Sequence, residues 1–231
     1  MRVPALALRR VDRSGAALAA LTAAERGLLA ARASAKRRAE FAAGRAAARA
    51  ALRRLLGANA AGAEVLRDEA GGTARPLAVG DDGAALGVHL SITHAGGLAA
   101  AAAGLAPLGL DLVVLEPLGR AFEEEAFTPG ELAAWERFTE RHLPGVPAAC
   151  AAFAAKEAAV KWLGTGLTVP LRSVEVLPAG VPAPARLGDA LAGLAVALAI
   201  ETPDRSVRLA GWVTASRRRL LLVAAEAPAR R

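Results

Sequence analysis

The sequence predicts an α+β fold built from two similar α/β lobes, and three observations predict it. Hydrophobic residues make up 54% of 231 positions, enough for a full core. Each half runs from a long helical region into several short apolar strands. A glycine-bounded stretch, Gly104–Gly109, separates the halves. The division gives an N-terminal lobe over residues 1–106 and a C-terminal lobe over 107–231, a pseudo-twofold pair with a ligand groove expected between them. No letter-by-letter repeat proves that kinship, which rests on the order of elements alone.

Leu6–Val11 is apolar and ends in a turn, so it reads as a first strand. Thr22 with Glu25 forms a capping box that opens a long helical region, and Gly57 closes it. Phe41, Ala48, Leu52 and Leu55 mark its buried face. Arg38, Arg45 and Arg49 fall roughly 40 to 80° from that face, while Arg54 points round to solvent. A short strand over Ala63–Arg67, a turn at Ala70–Thr73 and the pair Arg75-Pro76 come next. Gly87–Leu98 reads as strand, glycine turn, strand, and Leu108–Leu115 as a buried strand. Thr128-Pro-Gly-Glu131 opens a helix with an N-cap and proline at its first position. The following helix stops at Gly164-Thr-Gly166. Strands are predicted near Ser173–Leu177, Leu194–Ile200, Val207–Val213 and Leu220–Ala225, with a loop or short helix over Gly180–Ala190.

The 29 basic against 22 acidic side chains give a formal charge of +7, which calls for an anionic partner. The single cysteine, Cys150, excludes an internal disulfide and fits a reducing compartment. Its alanine neighbours mark it as a small core residue rather than a nucleophile. Neither the start of the chain nor Leu98–Leu115 nor Leu187–Ile200 supplies a signal core or a membrane span. The expectation is a cytoplasmic protein without membrane attachment.

The sharpest chemical signal is Phe153-Ala-Ala-Lys156-Glu157-Ala-Ala-Val-Lys161. Glu157 and Lys161 lie one turn apart on one helical face. Lys156 sits about 100° round, close enough to flank whatever covers Glu157. Charges emerging from such apolar sequence need compensation, which an anionic ligand with a metal would supply to all three. An exposed intrahelical ion pair is the plainer alternative.

Four further segments stand upstream of that helix: Glu40-Phe-Ala-Ala-Gly44-Arg45-Ala-Ala-Ala-Arg49, Arg75-Pro76, Leu90-Ser-Ile-Thr93-His94-Ala-Gly-Gly-Leu98 and Gly109-Leu-Asp111. In this order and spacing the chain resembles the 4'-phosphopantetheinyl transferases. The match is to the monomeric, two-lobed type that activates peptide synthetases and polyketide synthases, and it spans about Thr22 to Leu171. The resemblance implies transfer of the phosphopantetheine arm of coenzyme A to a serine of an acidic apo acyl or peptidyl carrier protein, with release of adenosine 3',5'-bisphosphate. It implies Mg²⁺, or Mn²⁺, held by Asp111 and Glu157. Glu157 would also accept the serine proton, Lys161 would stabilise the transferred phosphoryl or leaving group, and His94 would donate to a phosphate oxygen. Arg45, Arg49 and Arg75 would bind the phosphates, with Thr93 and Lys156 also on the coenzyme. Arg38 is a secondary candidate beside Lys36 and Arg37.

Val113 departs from the pattern, because many relatives carry an acid two residues after the aspartate. Glu116 falls on the other strand face and is no substitute. Two rival readings remain: a coenzyme A-binding paralogue without transferase activity, motivated by Val113, and a basic nucleic-acid-binding protein. Aromatics at 3% offer little for base stacking, so no nucleic-acid partner is expected.

Overall fold

A computed structural model describes residues 4–12, 14–68, 75–164, 169–187 and 191–226. The chain divides into two compact units, Pro4–Pro107 and a second beginning at Leu108. Both are mixtures of helix and antiparallel sheet, so the fold is α+β.

In the first unit, β1 (Ala5–Arg10) and β4 (His89–Ala95) flank β5 (Leu98–Gly104), and β2 (Glu64–Asp68) pairs with β3 (Arg75–Val79). The helical region expected from Thr22 is broken: α1 (Ala16–Ala19) and α2 (Ala23–Gly27) precede a separate long helix, α3 (Ala35–Leu56), capped by Ser34. The capping box at Thr22 and Glu25 is present in both directions. Alanines carry the packing of α3, since Ala43, Ala47, Ala51 and Leu52 are buried and their small size lets the helix lie close to the sheet. Arg54 does not simply face solvent; its guanidinium donates to the Leu6 carbonyl on β1.

The second unit orders its sheet β6–β10–β9–β8–β7, with β6 Leu108–Val114, β7 Glu175–Leu187, β8 Leu191–Glu201, β9 Ser206–Ala215 and β10 Arg219–Glu226. Helices α4 (Arg120–Ala126), α5 (Pro129–His142) and α6 (Ala148–Leu163) complete it. The loop or helix expected over Gly180–Ala190 is instead strand as far as Leu187, with residues 188–190 outside the described set. Pro178, Pro182, Pro184 and Gly180 read as breakers, but β7 is the sheet's edge, where a missing N–H costs no ladder bond. A register shift between Ala179 and Ala183 absorbs Gly180, whose φ is +72°. The turn expected at Ala70–Thr73 lies outside the described residues, as do Thr165 and Gly166; Gly164 ends α6 at φ 75°. No helix of the described residues is long and apolar enough to cross a membrane.

The strand order repeats. β1 pairs with β5 and β5 with β4, just as β6 pairs with β10 and β10 with β9, and each first strand is followed by a long helix. One contact sets the depth of the second helix. A Cβ on Gly109 would stand 1.8 Å from the Ala158 carbonyl oxygen and 2.8 Å from the Trp162 nitrogen, so only glycine lets α6 rest its backbone on β6. Gly109→Ala therefore forces strand and helix apart. Denaturant unfolding is expected to show a loss of about 3 kcal/mol or more; an unchanged midpoint would mean that the helix is not held there.

Candidate functional site

The first unit carries a pocket of about 220 Å³ lined by Arg37, Glu40, Arg45, Arg67, Arg75 and His94, among others. Helical spacing brings Arg37, Phe41 and Arg45 to one face of α3, and the β2–β3 hairpin adds Arg67 and Arg75. Gly44 lets the helix approach β4, where a Cβ would lie 3.0 Å from Ile92. Arg45 is fixed from two sides: its Nε donates to the Val65 carbonyl at 2.9 Å and its guanidinium lies 4.1 Å over the Phe41 ring. Burial pushes this guanidinium down to about 10; Glu25 opposes that, and Arg67, Arg37 and Arg49 add to it. A buried guanidinium with further cations around it favours an anion.

His94 faces the pocket from β4. Its Nε2 lies 3.0 Å from Arg37 Nη1, and because arginine can only donate, Nε2 must accept. That assigns the ring proton to Nδ1, which points at Glu40 with 3.7 Å to Oε2. Thr93, next in the strand, takes the opposite face of β4 and does not line the pocket. Arg49 is likewise diverted. Its Nη1 lies 2.6 Å from the wholly buried Glu25 carboxylate, which also accepts from the Val65 N–H at 3.0 Å. Arg38 does not line the pocket either.

The second unit gathers the acidic chemistry. Gly109 and Asp111 share the β6 face that meets α6. Lys161 Nζ reaches back from α6 to Asp111 Oδ1 at 2.6 Å and to the Leu110 carbonyl at 3.0 Å. Glu157, one turn before Lys161, is half-buried. Burial raises its carboxyl above the usual range, Lys161 counteracts this, and the Asp111 charge raises it further. Asp111, Glu157 and Lys161 therefore form one coupled group. Among the described residues no three His, Cys, Asp or Glu side chains come together as a metal cluster. Val113 is buried in the hydrophobic core and Glu116 is exposed beyond the end of β6.

Lys156 is the clear departure from expectation. It is wholly buried, with its ammonium 2.8 Å from the equally buried Glu131 and donating to the carbonyls of Leu171 and Val174. Helical geometry gave its direction correctly, about 100° from Glu157, but that direction leads into the core rather than to a ligand. Its desolvation is met by a carboxylate 25 residues away instead of by a bound anion. Burial lowers the Lys156 pKa and raises that of Glu131, each opposed by the other's charge.

Three pocket residues escaped the sequence reading. Arg37 was signalled by its spacing of eight from Arg45, and Arg67 by its place opposite Pro76 in the hairpin. Glu40 stands on the arginine helix itself, at the head of the arginine segment, and was given no role there.

Residues 107–208 match the 4'-phosphopantetheinyl transferase superfamily. The chain is also 42% identical over 99 residues to a holo-[acyl-carrier-protein] synthase of Methylobacterium sp. (strain 4-46), a match covering 41% of this chain and 68% of that relative. This protein belongs to the 4'-phosphopantetheinyl transferase superfamily. The family match includes Gly109, Asp111, Lys156, Glu157 and Lys161, whereas the arginine pocket lies outside it.

The raised carboxyl of Glu157 has a consequence for stability. A carboxyl whose folded pKa exceeds its unfolded value favours the fold below the unfolded pKa, and that contribution is lost as pH rises through the folded value. Glu157→Gln removes the cost of burying the ionised form. The variant is expected to melt at a higher temperature than the parent at pH 7, with the gap closing near pH 4; calorimetry across that range checks it, and a lower melting point at pH 7 contradicts it.

Proposed function

We propose that this transferase moves the 4'-phosphopantetheine arm of coenzyme A onto a serine hydroxyl of an apo acyl or peptidyl carrier protein. The observation that carries this reading is the coupled group of Asp111, Glu157 and Lys161, 2.6 Å between ammonium and aspartate, inside the part of the chain that matches the family. In the reaction the serine oxygen bonds to the phosphorus that bears pantetheine. The bond from that phosphorus to the bridging oxygen breaks, and adenosine 3',5'-bisphosphate departs with the electron pair. The serine proton passes to Glu157, directly or through a water. A carboxyl raised by burial is a stronger base than an ordinary one once ionised, which suits this task. Lys161 meets charge developing on the phosphoryl oxygens, so it works by electrostatic stabilisation.

Asp111 and Glu157 would hold Mg²⁺. Two mutually repelling oxygen donors fit a hard cation that fills its remaining positions with phosphate oxygens and water. Bound there, the ion would neutralise charge on the diphosphate; Mn²⁺ suits the same donors. In the first unit the pocket arginines Arg37, Arg45, Arg67 and Arg75 take coenzyme A phosphates, as bidentate donors do. His94 serves there by way of Arg37 and Glu40. The 1–106 lobe is thus a phosphate-binding lobe and the 107–231 lobe a catalytic one, as in the monomeric type that serves peptide synthetases and polyketide synthases. An acidic carrier surface would suit the protein's +7 charge.

Val113 supports one second reading, a protein that binds coenzyme A without turnover, because it leaves the metal two carboxylates rather than three. Intact mass decides between the two. With coenzyme A, Mg²⁺ and a panel of apo carriers, one carrier is expected to gain a single phosphopantetheine, and Glu157→Gln is expected to nearly abolish the gain. Tight coenzyme A binding with no mass shift on any carrier establishes the second reading. Arg67→Ala is expected to raise KM for coenzyme A by about tenfold or more, the cost of a hydrogen bond to a charged group, with kcat little changed. An unchanged KM would place Arg67 outside the coenzyme site.

A further inference from the structure

We propose that Lys156 and Glu131 are positioning residues for the transfer: their buried pair fixes the roll of α6 and so places the Glu157 carboxylate. This rests on the reading of Glu157 as the proton acceptor.

The ammonium of lysine has three donors, and all three of Lys156 are spent: on Glu131, on the Leu171 carbonyl and on the Val174 carbonyl. Nothing remains for a phosphate. Glu131 is equally committed, because it also accepts from the Val176 N–H at 2.9 Å while its own N–H donates to the Thr128 hydroxyl. One ion pair thereby ties α6 to the start of α5, to the turn at Leu171–Ser173 and to the first residues of β7. Glu157 is the next residue along the helix, so any roll that loosens Lys156 swings Glu157 with it.

The first unit supplies an independent observation, because it contains the same frame without the acids. Glu25, fully buried in a Thr-capped helix start, accepts from Arg49 of α3 and from the Val65 N–H of the next strand. Glu131, in a Thr-capped start, accepts from Lys156 of α6 and from the Val176 N–H of the next strand. Five residues after Arg49, Arg54 donates to the Leu6 carbonyl of β1; five after Lys156, Lys161 donates to the Leu110 carbonyl of β6. In that register Ala50 corresponds to Glu157 and Ala7 to Asp111. The frame exists where no carboxylate follows the cation, so its task is to hold a long helix on its sheet. In the second unit the helix so held happens to carry the reactive group.

Kinetics, melting and calorimetric binding of coenzyme A to Lys156→Met and to the double variant Glu131→Leu with Lys156→Met test this. The single variant leaves an unpaired buried carboxylate. It is expected to melt lower and, at temperatures where it is folded, to lose about 10- to 100-fold in kcat through misplacement of Glu157, with KM for coenzyme A within about twofold. The apolar pair removes the unpaired carboxylate but leaves the Leu171 and Val174 carbonyls and the Val176 N–H without these partners. It is expected to recover part of the melting point and most of kcat, with coenzyme A affinity unchanged. If the double variant regains stability but binds coenzyme A about tenfold more weakly, Lys156 touches the coenzyme and the proposal is overturned. Unaltered kcat in the folded single variant overturns it too, since the pair would then only stabilise. Should the single variant not fold, the double decides alone: a partly recovered melting point with kcat still low refutes positioning by packing. Glu157→Gln run alongside separates the premise, because retained transfer there removes Glu157 as acceptor whatever the pair does to melting and to coenzyme A binding.

Discussion

The site depends on the absence of one side chain. With hydrogen at the Gly109 Cα, the backbone of α6 at Ala158 lies directly against β6. That approach puts Asp111, two residues on, within 2.6 Å of Lys161 and close enough to Glu157 for its charge to be felt there. The burial of Glu157 and the reach of Asp111 towards α6 follow from this depth. Farther out, Glu157 would be better hydrated and its carboxyl would sit nearer its ordinary range. The alanines of α6 serve the same end, because Ala154, Ala155, Ala158 and Ala159 are buried without holding the helix away from the sheet.

A second regularity is how each unit handles a charge beneath its long helix. Both bury a glutamate completely, and both satisfy it with a cation from that helix and a backbone N–H from the following strand. Such a pair contributes little net stability, since desolvation offsets most of the attraction, but breaking it is costly. It therefore specifies one arrangement of helix and strand over others. The likeness visible in strand order extends in this way to individual hydrogen bonds, although the letters of the two halves show no repeat.

Much of the site was legible from local spacing. Glu157 and Lys161 share a face because they are four apart, and Gly109 with Asp111 because they are two apart; neither inference needs the rest of the fold. Arg45, Arg75 and His94 line one pocket for a similar reason, from a helix face and two short strands. The failures concern partners distant in sequence. Periodicity gives the angle of Lys156 but not how deep its helix sinks, and the carboxylate that claims it lies 25 residues back. Arg49 was drawn off the pocket by Glu25, 24 residues away. Thr93 was carried in by its neighbour, though strand alternation turns it away. In the fold, Pro178, Pro182 and Pro184 argued against a strand, and only knowledge that β7 is an edge reverses that argument.

Those prolines also bear on the protein's behaviour at high concentration. An exposed sheet margin is a template on which another chain can add, and from which fibrils grow. Along this margin Pro178, Pro182 and Pro184 remove donors that an incoming strand would need, and the kink near Gly180 disturbs what ladder is left. The long strand pair β7–β8 is thereby made a poor seed for polymerisation, at a position where alanine-rich neighbours would otherwise invite it.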